Sequence, residues 1–363
     1  MHIGLGLGFG KGNPALSDHD VYAGETALAF EAESLGFDSV WAVEHHFTDY
    51  SFCPDNLLWL AHIAARTSRI QLGTGAVILP WNAQPIRVAE KLLMLDHLSR
   101  GRVIFGMGRG VSRKEYEPFG IDPGTSRGRF DEASKLVVDA IRTGVIEGDG
   151  PYYPQVRTEL RPGPYASWNG RLYTGAGTAE SAAVGIANGA GLMSFVTRPV
   201  DLYVDQWADY RAQYEARWGE EAPPISINLN LYTHEDGTLA HERFQTYVDT
   251  FFVKNVEHYD FAGTQLAATK GYENYAKMSE RINSLGIEKA AQEYADSALS
   301  GTPQEVVDKI VWMQEQVGRI SIVLAPAFGG MPYDLAHESV RLFSEKVLPV
   351  IKQHSAATQK VGV

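Results

Sequence analysis

Four short stretches of this 363-residue chain hold groups that could do chemistry. Glu44-His45-His46 sets two imidazoles beside a carboxylate. A neutral imidazole near pH 7 suits general acid–base work, and at least one of the two histidines reads as a packed structural residue. Glu44 reads as a residue that orients a loop. A metal pair fits poorly, because barrel metallohydrolases need a His-x-His ending the first strand. The first strand here offers only His2, at its start, so no metal centre is expected. Gly175-Ala176-Gly177-Thr178 opens a helix. Small residues there free backbone N–H groups, and the helix N-terminus adds positive potential, which together make an anion site. Thr178 and Ser181 add hydroxyl donors. Arg109, in Gly106-Met-Gly-Arg109-Gly110, offers a fork to a phosphate. Alone, the glycine pair reads as a tight turn; with Arg109 nearby, a phosphate site is the better reading. Gly73-Thr74-Gly75-Ala76 puts a glycine inside a strand, where a flat ligand or another backbone can come close, or where a barrel bulges.

Strand–helix units must position these groups. Apolar runs at Ile3–Gly8, Ser39–Val43, Ile70–Leu79, Val103–Gly106, Leu172–Thr174, Leu192–Val196, Ile225–Tyr232 and Ile320–Leu324 read as eight strands. Helical spacing follows at Val21–Leu35, Asn56–Arg66, Ile86–Leu98, Phe130–Ile146, Ala179–Asn188, Val200–Trp218, Leu239–Val256 and Leu335–Ile351. Eight such pairs favour a closed α/β architecture, a (β/α)8 TIM barrel over residues 1–363, with an open doubly wound sheet as the rival. The proline-rich Gly148–Gly170 reads as loop. An insertion over 259–302, before the eighth strand and the short helix Pro303–Gln316, reads as a mobile lid. In such a barrel the active site lies at the C-terminal strand ends, and all four stretches fall there. Trp41, Phe105, Phe195 and Trp207 read as core first, with Phe195 the one to place against a ligand ring.

Composition removes several alternatives. With 32 Lys+Arg against 44 Asp+Glu, the net charge of −12 disfavours general nucleic-acid binding. The single cysteine, Cys53, makes neither an internal disulfide nor a thiolate metal cage. No apolar run reaches the roughly 18 residues of a membrane helix. The opening MHIGLGLGFG lacks a basic segment and reads as a strand, so a soluble cytoplasmic protein is expected.

Five stretches also resemble one family. Phe37-Asp-Ser-Val-Trp-Ala-Val-Glu-His-His-Phe-Thr-Asp49, Leu72-Gly-Thr-Gly-Ala-Val-Ile-Leu-Pro80, Leu95-Asp-His-Leu-Ser-Arg-Gly-Arg102, Phe105-Gly-Met-Gly-Arg-Gly110 and Phe119-Gly-Ile-Asp122 are similar, in order and spacing, to the bacterial luciferase α subunit. The similarity is clear to about residue 145. It returns more weakly at Leu172–Phe195, at Gly301-Thr-Pro303 and in the final helix. The chain thus resembles the luciferase-like flavin-dependent monooxygenases. The resemblance implies a barrel that takes reduced FMN from a separate flavin reductase and uses O2, through a C4a-hydroperoxyflavin, to oxygenate a small apolar or carbonyl substrate. Carried over by position, His45 is the catalytic base, with Glu44, His46, Glu115 and Trp81 supporting the site or substrate. Gly75-Ala76 is a cis peptide under the flavin. Arg109, Ala176, Gly177, Thr178 and Ser181 hold the phosphate, and Phe195 lies beside the isoalloxazine. The resemblance departs at Gly108, where the α subunit has a reactive cysteine, and at Ala176-Gly177, where it has Glu-Ser.

Two alternatives keep the fold: an F420-dependent oxidoreductase, disfavoured by the match across Glu44–Asp49 and Arg109, and a non-enzymatic flavin-binding partner protein, disfavoured by the eight intact units and His45. The family also implies a dimer through the helices after strands two and three, a homodimer being the simplest form. Ala61, Ala64 and Ala65 would permit close helix approach there. Trp59, Trp81 and Tyr116 are candidate pocket walls, or ordinary core. The substrate itself is not legible.

Overall fold

The computed structural model describes residues 1–263, 272 and 274–361. The apolar runs form eight strands: β1 His2–Leu7, β2 Ser39–Ala42, β3 Gln71–Thr74, β4 Val103–Gly108, β5 Leu172–Gly175, β6 Gly191–Phe195, β7 Ile225–Thr233 and β8 Ile320–Ala325. Each pairs in parallel with the next, and β8 closes on β1 with His2 beside Ser321 and Leu5 beside Leu324. Parallel strands covered on both faces must be apolar throughout rather than alternating, and β2 and β4 are buried at every position. The result is a (β/α)8 TIM barrel with an insertion before β8.

The helices are α1 Asp18–Ser34, α2 Asn56–Ala64, α3 Pro85–Ser99, α4 Ser126–Thr143, α5 Ala179–Asn188, α6 Val204–Trp218, α7 Gly237–Tyr259, α8 Asn274–Leu285, α9 Ile287–Ser297, α10 Pro303–Val317, α11 Tyr333–Leu342 and α12 Leu348–Val361. Caps set their starts. Ser17 and Asp20 form a capping box on α1, and Thr302 and Glu305 form one on α10.

The barrel interior is filled by Trp41, Ile104, Tyr173, Met193 and Val323. A Cβ on Gly73 would lie 2.3 Å from the Trp41 ring. The close approach that the strand-interior glycine signals is therefore made by an indole of the neighbouring strand, not by a ligand or backbone. At the opposite end of the barrel, the Leu95–Arg102 motif is structural. Asp96 binds Arg171 through both carboxylate oxygens at 2.6 and 3.2 Å, and Arg102 ties the carbonyls of Ala64, Thr67, Ile70 and Ser99.

Four boundaries differ from the sequence reading. The third strand stops at Thr74, and Val77–Ile78 forms a separate short pair with β4. The fourth helix ends at Thr143, because Gly144 turns the chain with φ of 76°. The β-branched Val145 and Ile146 then join a hairpin with Gln155–Glu159, inside the stretch expected to be loop. Within the insertion, Leu299–Gly301 is a strand paired with β7. Of the expected lid over 259–302, residues 264–271 and 273 lie outside the described residues. Phe261, Tyr272, Ile282, Ala290 and Ala291 of that segment pack with Phe252 and Val256 of α7 into a small core.

Candidate active site

His45 follows β2 directly, and Glu115 sits in the short helical turn Arg113–Tyr116 beyond β4. The chain folds so that the two meet over the barrel mouth: His45 Nδ1 lies 3.0 Å from Glu115 Oε1, and the His46 backbone N–H donates to the same oxygen at 2.8 Å. A carboxylate only accepts, so Nδ1 carries a proton, and in the neutral imidazole Nε2 keeps the lone pair. Burial would raise the Glu115 carboxyl, but the adjacent rings of His45 and His258 outweigh it and hold it down at about 2. His258, near the end of α7, places Nε2 3.4 Å from Glu115 Oε2, and its Nδ1 lies 2.9 Å from Thr48 Oγ1. Burial lowers its basicity. The Tyr259 hydroxyl completes the cluster at 3.2 Å from His45 Nε2. A base with a fixed tautomer, its basic nitrogen aimed at the mouth, is an arrangement for proton transfer.

Glu44 and His46, on either side of His45, do different work. The buried Glu44 accepts from Ile78 N at 2.8 Å and faces His46 Nε2 at 3.5 Å. Burial pushes its carboxyl above the usual range. It orients the loop after β3, as its residue type suggests. The His46 ring packs edge-on against Trp81 and Phe119, with centroids 5.3 and 4.9 Å away. Behind it is a cavity of about 150 Å³ lined by Glu44, Asn56, Val77, Trp81 and Phe119. His46 and Trp81 thus support the mouth from behind. Gly75–Ala76 is a cis peptide. Asn56 Nδ2 bonds both the Ala76 and Ala42 carbonyls, at 3.0 and 3.1 Å, and so pins the ends of β2 and β3 together.

The anion end assembles from three strand ends. Thr178 caps α5 by accepting from Ser181 N at 3.3 Å. Nothing stands within 4 Å of where a Gly177 Cβ would be, so space is open above the loop. The Ala176 N–H is used by Met193 O at 3.0 Å and is not a free donor. Arg109 is buried at the end of β4, and the Tyr272 ring of the insertion lies on its guanidinium at 3.9 Å. Arg127 Nη2 donates to Ser181 Oγ at 3.1 Å. The Glu180 carboxyl is held low by its own N–H and by Thr178, with Arg127 and Arg109 adding to the effect. Both arginines thus lie within electrostatic reach of Glu180 in the first turn of α5. Phe195 is 54 % exposed at the end of β6, next along the rim.

The luciferase-like monooxygenase family model matches residues 1–319. The chain belongs to this family. The alkanal monooxygenase alpha chain of Photobacterium leiognathi is 28 % identical over 347 residues, 93 % of this chain and 96 % of that protein. Among solved structures, monooxygenase RslO1 from Streptomyces bottropensis is similar at TM-score 0.78 and 28 % identity, covering 96 % of this chain and 99 % of that one. Two more share the fold. The oxygenating constituent of 3,6-diketocamphane monooxygenase from Pseudomonas putida, in complex with FMN, has TM-score 0.73 and 18 % identity. An F420-dependent secondary alcohol dehydrogenase has 0.72 and 16 %. Each covers 96 % of this chain and 98 % of its own.

Membership makes this luciferase-like chain an enzyme of the oxidoreductase class, and its residues fit a flavin phosphate. The Arg127 guanidinium, two hydroxyls and a helix N-terminus meet beside the open space at Gly177, with Arg109 in electrostatic reach, and Arg127 Nη1, 3.5 Å from Asp131, makes no hydrogen bond among the described residues. Sequence reading missed Arg127, although a signal exists: the first turn of α4 has no acidic residue where helices favour one, and carries arginine instead. His258 and Tyr259 were missed because nothing local marks a helix end that meets a loop more than 200 residues upstream. Trp59, a candidate pocket wall, packs against Phe9 at 5.1 Å and bonds Thr26, away from the mouth.

Proposed function

We propose that this chain is a two-component monooxygenase that binds reduced FMN delivered by a separate flavin reductase and uses O2 to oxygenate a small apolar or carbonyl substrate. The observation that carries this reading is the pairing of a two-arginine anion cradle with a tautomer-fixed histidine on one barrel rim. Arg109, Arg127, Thr178 and Ser181 would hold the phosphate, and Phe195 and the Gly75–Ala76 segment would flank the ring. Reduced FMN supplies the electrons that let one atom of O2 enter the substrate while the other leaves as water. The protein's own part is binding, shielding and proton handling. His45 takes a proton at Nε2, Glu115 balances the imidazolium, and Tyr259 and Tyr272 shield His45 and Arg109 from water. The two relatives at 28 % identity are both monooxygenases, which supports an oxygenase over a dehydrogenase of the same fold.

The same reading includes a homodimer formed through α2 and α3, where Leu58, Met94 and Leu98 are exposed apolar residues. Sedimentation as a monomer at all concentrations would reject that part.

Oxygen uptake with chemically reduced FMN, screened over aldehydes, ketones and alkylamines under ¹⁸O2, tests the main reading. One ¹⁸O atom in the product is expected. Uptake with no labelled product from any class, together with turnover on F420, would replace it.

A further inference from the structure

Two consecutive residues at the end of α7 grip opposite ends of the His45–Glu115 pair. His258 faces Glu115 Oε2 at 3.4 Å, and neither of those two atoms has a hydrogen-bond partner among the described residues. Tyr259 places its hydroxyl 3.2 Å from His45 Nε2. The position is built rather than incidental. The Tyr259 ring stacks on Phe261 at 5.0 Å and meets His258 and Tyr50 edge-on at 4.7 and 5.5 Å. Ser112 Oγ bonds the His258 carbonyl at 2.9 Å and so anchors the helix end to the β4 loop. Direction follows from chemistry: in the neutral imidazole with Nδ1 protonated, Nε2 has a lone pair and no proton, so the phenol donates. Burial first, then Tyr50 and Glu115, keep that phenol protonated well above its ordinary range.

We propose that Tyr259 is a second proton-handling residue of this site, capping the basic nitrogen of His45 when no substrate is present and serving as proton donor when substrate occupies Nε2. The second role rests on the reading of His45 as the base. The first does not. The protons balance. His45 Nε2 takes one from a substrate atom, Tyr259 gives one to a substrate oxygen, and the Nε2–H then returns its proton to the phenolate. A proton has moved between two substrate atoms and both side chains are restored. The titratable groups facing this pair are Glu115 and Lys114 beyond β4, His258 on α7, Tyr50 in the β2 loop and Tyr275 on α8. None of these is altered by Tyr259→Phe, which also keeps the ring contacts.

The test begins on the ligand-free full chain. At alkaline pH, where imidazoles are neutral, the ¹⁵N resonance of His45 Nε2 should move downfield in Tyr259→Phe, as a lone pair does on losing a donor. The Nδ1–H resonance should stay. An unchanged Nε2 resonance overturns the cap. Wild-type protein gives a second reading without any variant: the Tyr259 hydroxyl proton should exchange slowly and show a contact to the His45 ring, and its absence overturns the cap as well. With reduced FMN and a substrate that supports turnover, kcat of Tyr259→Phe should fall about tenfold or more with KM unmoved. Unchanged kcat overturns the donor role. Failure of the FMN reading would show as no oxygenation by wild-type enzyme, with the resonance shift intact.

Discussion

Glu115 Oε1 accepts two N–H groups at once, from the His45 ring at 3.0 Å and from the His46 backbone at 2.8 Å. One carboxylate oxygen therefore fixes both the position of the loop and the tautomer of the base. His45→Ala should lower kcat by about 10²–10⁴-fold with FMN binding retained. Glu115→Gln should cost less, because the amide oxygen still accepts from Nδ1, but the charge that balances the imidazolium is gone. Steady-state kinetics beside flavin titration checks both. Unchanged kcat in His45→Ala contradicts the assignment.

Arg127 donates to Ser181 at the α5 N-terminus. A charge-assisted hydrogen bond to phosphate contributes about 1.5–3 kcal/mol, so Arg127→Met should weaken FMN binding by about tenfold to a hundredfold. Riboflavin, which lacks the phosphate, is the control and should bind both proteins equally. Equal weakening of both ligands would place Arg127 outside the phosphate site.

Glu25 is buried on α1, where Oε1 accepts from Phe9 N and from the Tyr333 hydroxyl, both at 3.2 Å, and burial pushes its carboxyl up to about 8. The folded form therefore keeps its proton when the unfolded chain, near the ordinary value of 4.5, has lost it. The contribution to stability is complete below about pH 4.5 and is lost as pH rises towards 8, by at most about 1.4 kcal/mol per pH unit. Glu25→Gln keeps both acceptor contacts and removes the titration. Its urea midpoint should change less between pH 5 and 8 than the wild-type midpoint, and identical slopes would contradict this.

The Asp96–Arg171 pair is buried at the end of the barrel away from the site. Asp96→Asn leaves a buried guanidinium uncompensated and should cost about 3–5 kcal/mol of stability. Thermal unfolding reads the loss, and kcat per folded molecule should not change.

What could be read from the sequence follows from how local the signal was. The eight strands and the strand-end stretches rest on patterns within a few residues, and the barrel rule then places Glu44, His45, Arg109 and Thr178 at the mouth. Arg109 came from the Gly106–Gly110 motif at the end of β4, whereas Glu115 came from the family resemblance alone. Arg127 had a local signal, a basic residue in a first helical turn, that is legible only once α4 is known to start at Ser126 rather than Phe130. His258 and Tyr259 had none, since their contacts to Thr48 and His45 span more than 200 residues. Gly73 was read as the approach of a ligand or backbone, or as a bulge, whereas the partner is the Trp41 ring, a choice that strand register makes and sequence does not display.

The central claim is that the cradle at Arg109 and Arg127 serves reduced FMN. Anaerobic titration of reduced FMN and reduced F420 into wild-type protein and Arg109→Ala is the most direct measurement. Saturable binding of reduced FMN at one site per chain is expected, about tenfold or more weaker in Arg109→Ala, with no competition from F420. Binding of reduced F420 alone, or reduced-FMN binding indifferent to Arg109, would contradict it.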